Sequence, residues 1–260
     1  MGKNNLQNHW QRHDWQTSPF APDLKIVQAL VNGKTASGAG FSRYEALSRC
    51  LGETAEIITL NDGESSEGLA AGPDFSFAST QALNERLERW ALWDWWHGTC
   101  KAMPVKAEPM LSALRHHAEE KRETSLWFLP GFPHIQVVIA RSLSPDGTQP
   151  ILGFGANNCP QKAAQSALTE LGLMELNLRA PTADLHAYFK RLTDNADHLF
   201  QAATPRPLAH NHSTTVEESL INANVNFTLH DHSPSGLDIV VVKADIQGAP
   251  SWSGTLGPLM

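Results

Sequence analysis

The spacing of apolar and polar positions predicts alternating strands and helices. Residues 24–31 read as a strand closed by the Asn32-Gly33-Lys34 turn, and 35–40 read as a loop of small residues. Ser42, with Glu45 three positions on, predicts a capped helix over 43–57 whose apolar face carries Ala46, Leu47, Cys50, Leu51 and Ala55. The Gly-, Ser- and acid-rich stretch 61–74 predicts a surface loop. Ser79 or Thr80 then opens a helix over 81–97, and 110–121 predicts a third. Three strands are expected at 125–129, 135–142 and 151–155, separated by the turn signals Pro130-Gly131 and Pro145-Asp146-Gly147. Pro160 opens a helix over 161–178, and 184–200 predicts another. A loop over 204–213, a short helix at 216–222 and strands at 225–230 and 237–243 close the chain. No repeat of solenoid period is visible. Residues 1–23 read as an N-terminal arm and 24–260 as one domain, of α/β (α+β) class with antiparallel and mixed sheets packed by helices.

Composition narrows the function classes. Hydrophobic residues make up 41% and charged residues 18% of the 260, a globular balance rather than a disordered one. A net charge of −7 argues against a phosphate-backbone partner, so no nucleic acid is expected. No run approaches the roughly 18 apolar residues of a spanning helix, so no membrane partner is expected. The first ten residues lack the apolar centre of a signal peptide. Cys50, Cys100 and Cys159 are few, odd in number and without a C-x-x-C pair, which points to a reducing, cytoplasmic setting.

Four constellations can carry chemistry. Gly38-Ala39-Gly40 precedes a helix with Glu53 and Glu56, and carboxylates three residues apart on a helix face the same way. Such crowding favours a cation between them, Mg2+ with nucleotide phosphates being one; a solvated helix face is the plain alternative. Glu85 and Glu88 repeat the spacing, and Arg89 can pair with a carboxylate or a phosphate, against local pairing of Arg86 and Arg89 as the plain alternative. Gly153-Phe154-Gly155 ahead of a helix with Glu170 can cradle an anion on free N–H groups, although the Walker lysine pattern is lacking. His210 and His212, with His230 and His232, form two H-x-H pairs that lack defined further ligands for zinc. Cys159 is the one cysteine beside a glycine motif. Trp90, Trp93, Trp95 and Trp96 read as core, with part of that face exposed for docking.

Taken in order, these segments resemble the YcaO family. Ala36-Ser37-Gly38-Ala39-Gly40 and the helix to Glu56 are similar to its glycine pair and Glu-x-x-Glu-Arg helix. Glu85-Arg86-Leu87-Glu88-Arg89, running to Trp95-Trp96, looks like its second Glu-x-x-Glu-Arg helix with a Trp-Trp end. Gly153-Phe154-Gly155-Ala156 with Pro160 and Ala167 to Leu171 resembles its third motif. The 236–242 segment, closing at Leu256-Gly257-Pro258-Leu259, looks like its terminal strand and end.

The resemblance implies ATP and Mg2+, with Glu53, Glu56, Glu85, Glu88 and Glu170 as metal ligands and Arg89 as a further nucleotide contact. It implies phosphorylation of a peptide amide oxygen, leading to azoline-type cyclodehydration or a related backbone change in bacteriocin or other natural-product biosynthesis. It further implies a precursor peptide, a leader-peptide-binding protein or flavin dehydrogenase as partners, and a hetero-complex or homodimer. Where the family carries polar residues this chain has Arg49, Ile57, Ala163 and Met174. Ile57, Ala163 and Met174 suit a non-catalytic scaffold that binds precursor or partner. A zinc hydrolase is a distant third reading.

Overall fold

A computed structural model describes residues 5–61, 63–132, 135–201, 203–208, 214–253, 255 and 257–258. In chain order, a short 3-10 turn is followed by β1 (Arg12–Gln16), β2 (Lys25–Val31), β3 (Lys34–Gly40), α1 (Arg43–Thr59), β4 (Leu69–Gly72) and α2 (Phe75–Trp96). Then come β5 (Met103–Lys106), α3 (Glu108–Leu114), β6 (Glu123–Leu129), β7 (Gln136–Leu143), β8 (Ile151–Asn157) and α4 (Pro160–Met174). The chain continues with α5 (Ala183–Asp194), α6 (Ala196–Leu199), β9 (Arg206–Pro207), α7 (Val216–Asn222), β10 (Phe227–Asp231) and β11 (Val240–Ile246). These elements form two compact units. The first takes residues 1–17, 24–87 and 216–251, and the second takes 18–23, 88–215 and 252–260.

The first unit holds an antiparallel meander, β1-β2-β3, and a second antiparallel sheet in the order β10-β11-β4. Helix α1 lies on β2 and β3. Val27, Ala29, Val31, Ala36, Ala46 and Cys50 form that core, with Trp10, Ile57 and Ile58 packed against it. Burial of such side chains contributes about 1.5–3 kcal/mol for each large one. The sequence start is less loose than an arm: β1 pairs along β2, and the Trp10 indole donates to Thr54 Oγ1 at 2.9 Å. Segment 35–40, expected as a loop, is strand β3. Its small residues hide the alternation because the helix fills the space side chains would occupy. A Cβ on Gly38 would lie 2.0 Å from the Ala46 carbonyl oxygen and 2.5 Å from the Cys50 nitrogen. Inside the expected 61–74 loop, Leu69–Gly72 is drawn into strand β4 by pairing with β11.

Helix starts follow local chemistry. Ser42 and Glu45 form the expected reciprocal capping box. α2 begins earlier than expected, because Asp74 rather than Ser79 or Thr80 accepts from the Phe77 amide at 2.9 Å.

The second unit contains a five-stranded sheet in the order β8-β7-β6-β5-β9, antiparallel except for the parallel β5–β9 pair. α4 packs on β8 and β7. Gly153 and Gly155 are strand residues facing that helix, not a loop around an anion. A Cβ on Gly155 would lie 2.3 Å from the Ala163 carbonyl oxygen, so glycine is required for the close approach. α4 stops at Met174, short of the expected end, and the chain tightens into a 3-10 turn over Glu175–Arg179. There Glu175 is fully buried, held by Arg115 at 2.7 Å, Arg122 at 3.2 Å and the Ser142 hydroxyl at 2.6 Å. α3 likewise ends early, at Leu114, because Arg115 turns toward Glu175 and His117 takes a left-handed φ of 58°.

The tryptophans of α2 are packed. Trp95 is 1% exposed and donates to the Leu199 carbonyl, Trp90 meets Phe132 edge-on, and Trp93 meets Trp252. Trp90, Trp93 and Trp96 keep part of their surface in solvent, and among the described residues the exposed large apolar side chains are Trp15, Phe41, Tyr44, Phe75, Phe77 and Ile221. No helix among the described residues is long and apolar enough to cross a membrane.

Candidate functional site

The first unit brings three of the expected carboxylates together. Glu53 and Glu56 lie on α1. Glu53 Oε2 accepts the Ser37 amide of β3 at 2.6 Å, and Glu56 Oε1 accepts the Ala71 amide of β4 at 3.0 Å. Each carboxylate is therefore aimed by a strand rather than free to swing into solvent. Glu85, on α2, acts on Glu56 electrostatically, as does Glu53. The Glu56 carboxyl is held well above its ordinary range, first by burial, then by the charge of Glu85, with Glu53 adding to it; only the Ala71 amide works the other way. No cationic side chain is among the groups that shift it. Cys50, one turn before on the same helix, has its thiol pushed up to about 12 by burial and by Glu53.

This arrangement fits a hard divalent cation. Carboxylate oxygens are the ligands Mg2+ takes, and a cation would offset the charge that Glu85 and Glu53 place on Glu56, which the Ala71 amide alone opposes. Arg86, one residue past Glu85, has a structural task instead. It bonds Glu67 at 3.0 Å and the carbonyls of Pro250 and Ala249 at 2.9 and 3.2 Å.

Glu88, Arg89 and Glu170 belong to the second unit. Glu88 is buried and lies 3.8 Å from Arg89 in a loose ion pair. The Arg89 carbonyl accepts the Trp252 indole at 3.1 Å. Glu170 Oε2 accepts the Phe154 amide of β8 at 2.9 Å, and Tyr188, its hydroxyl pushed up by burial, lies within electrostatic range. Ile57 packs on the β2–β3–α1 core, Ala163 is fully buried against Gly155, Met174 closes α4, and Arg49 lies on an exposed part of α1. Cys159 caps α4 with its backbone, not its thiol. Of the histidine pairs, His210 and His212 fall outside the described residues, as do Leu256 and Leu259. His230 lies 3.6 Å from Asp245 in an exposed pair. A mostly apolar cavity of about 250 Å³ opens by Met103, Val105, Phe128, Val138 and Arg206, and contains none of the expected site residues.

Sequence reasoning missed the groups that aim the carboxylates. The Ser37 and Ala71 amides are backbone donors on strands read as loops, so no side-chain motif marks them.

The architecture and the crowded carboxylates define a mixed α/β protein whose meander-and-helix units present acidic helix positions to strand amides. Residues 61–247 match the YcaO cyclodehydratase family, described as ATP- and Mg2+-binding, and the chain belongs to that family. The fold agrees. A YcaO from Methanopyrus kandleri, bound with AMPPCP and Mg2+, matches with a TM-score of 0.79 at 16% identity, over 98% of this chain and 91% of that one. A heterocyclase in complex with substrate and cofactor matches with a TM-score of 0.79 at 14% identity, over 93% of this chain and 50% of the heterocyclase. The E. coli microcin synthetase McbBCD complex with pro-MccB17 bound gives a TM-score of 0.65 at 14% identity, over 94% of this chain and 89% of that one. No curated protein matches by sequence.

Proposed function

We propose that this chain is the ATP- and Mg2+-using subunit of a cytoplasmic complex that modifies the backbone of a ribosomally made peptide. The observation that carries the proposal is the crowding of Glu53 and Glu85 on Glu56, which is costly without a cation. In this reading Glu53, Glu56 and Glu85 hold Mg2+, with Ser37 and Ala71 fixing the orientation of the first two. The roles of Glu88 and Glu170 as further ligands, and of Arg89 at the nucleotide, rest on the motif resemblance. Bound MgATP would supply a phosphoryl group to a peptide amide oxygen, and loss of that oxygen as phosphate lets a Cys, Ser or Thr side chain close an azoline ring. The precursor peptide is the substrate. The microcin synthetase complex among the fold relatives supports partner subunits, such as a leader-peptide-binding protein or a flavin dehydrogenase, in a hetero-complex or homodimer.

The test is co-expression with the precursor and neighbouring gene products, followed by mass spectrometry of the peptide. Loss of one water per ring is expected, and its abolition by Glu56→Gln and Glu85→Gln. Rings that form at full rate in those variants would contradict the assignment. One observation favours a second reading, a scaffold that binds peptide or partner without using ATP. Ile57 is committed to an apolar core where the family has a polar arginine. Peptide bound by the chain with no nucleotide effect, in wild type and variants alike, would establish the scaffold.

A further inference from the structure

Asp23, His116 and His117 lie together in the second unit, apart from every residue assigned above. One carboxylate oxygen and two imidazole nitrogens stand within 4.8 Å of one another. Asp23 Oδ2 is 2.8 Å from His116 Nδ1 and 3.5 Å from His117 Nδ1. Ligand atoms about 2 Å from a tetrahedral zinc ion are separated by roughly 3.3 Å, a value these two distances bracket. Neighbouring residues ordinarily point apart. Here the left-handed φ of 58° at His117 swings both rings to one side, with centroids 3.6 Å apart.

The site is braced on both flanks. Arg115, directly before the pair, makes two bonds to buried Glu175, two to Thr124 Oγ1 and one to the Phe20 carbonyl. The Glu119 and Glu120 amides both donate to the Pro19 carbonyl. The two backbones that carry the ligands are thus held against each other before any ion arrives, which lowers the ordering cost of binding. The side chains remain open to solvent, so an ion can enter and water can complete the coordination.

We propose that Asp23, His116 and His117 bind a zinc-class divalent cation that clamps the 18–23 segment to the turn after α3. The mixed imidazole–carboxylate donor set favours such an ion over Mg2+, which takes oxygen ligands. The proposal does not depend on the nucleotide site.

The experiment uses the full chain without a polyhistidine tag, freed of metal, and titrated with Zn2+ against a chromophoric chelator. Wild type is expected to bind one Zn2+ more tightly than any other equivalent, by about tenfold or more over the H116Q/H117Q double variant. Asp23→Asn is expected to weaken the same equivalent, and Glu56→Gln to leave it in place. A double variant with wild-type zinc stoichiometry and affinity would overturn the proposal. Hydrogen exchange on wild type alone gives a second reading that no variant can confuse. The Glu119 and Glu120 amides should exchange more slowly with Zn2+ than without it, and unchanged exchange at saturating Zn2+ would equally overturn it.

Discussion

The β1-β2-β3 meander with α1, in the first unit, and the β6-β7-β8 meander with α4, in the second, are built alike. β3 and β8 are of equal length, and the same offset in residue number carries Lys34 to Ile151, Gly40 to Asn157, Gly38 to Gly155 and Glu53 to Glu170. In each, a glycine lets the helix close on the strand, and a helix glutamate accepts a strand amide 16 residues before it. The difference lies one turn on. Glu56 follows Glu53, whereas Leu173 follows Glu170. Ile57 and Met174, both departures from the family pattern, occupy equivalent places. In both copies the shared glutamate accepts a strand amide, and the extra carboxylate at 56, under the charge of Glu85 and Glu53, is what makes the first copy crowded. The second unit invests its buried charge differently, in Glu175 neutralised by two arginines.

That contrast predicts opposite responses to losing a carboxylate. Glu175→Ala leaves Arg115 and Arg122 without their buried partner and should cost about 3–5 kcal/mol in chemical denaturation. A loss under 1 kcal/mol would remove the structural role given to Glu175. Glu53→Ala and Glu170→Ala each remove a charge-assisted bond to a strand amide. Each should cost about 1.5–3 kcal/mol, and the two losses should be similar if the copies are equivalent.

Glu56→Gln should do the reverse. The glutamine oxygen still accepts the Ala71 amide, while the repulsion from Glu85 and Glu53 is gone, so the nucleotide-free chain should gain about 0.5–2 kcal/mol at pH 8. The sign with pH follows from the raised folded-state pKa. Protonated Glu56 favours the fold fully below its unfolded value of 4.5, and this contribution is lost as pH rises through the folded value. Melts from acid to alkaline pH should therefore slope less steeply downward in Glu56→Gln than in wild type. Identical slopes would show that Glu56 is not crowded.

Much of this was legible in the chain. The capping box at Ser42, strands β2, β6 and β7 and the order of the glutamate motifs follow from local pattern. Gly38-Ala39, Ala46, Leu51 and Glu53 recur as Gly155-Ala156, Ala163, Leu168 and Glu170, so even the duplication is written in the sequence. It escapes notice because one pair of copies sets no period and the positions are few. β3 and β4 are hard to see for one physical reason. They are defined by what approaches them, a helix or a partner strand, and small residues carry no periodic signal of their own. The pairing of Glu56 with Glu85 crosses from one helix to another and has no local signature.

The most direct test of the central claim is calorimetry of MgATP binding at pH 6.5, in two buffers of different ionisation enthalpy, with wild type and Glu56→Gln. If the crowded carboxylates hold Mg2+, wild type binds MgATP weakly and releases protons as Glu56 ionises against the metal. Glu56→Gln then shows neither the proton release nor the Mg2+ dependence. Equal MgATP affinity and equal proton exchange in the two proteins would contradict it.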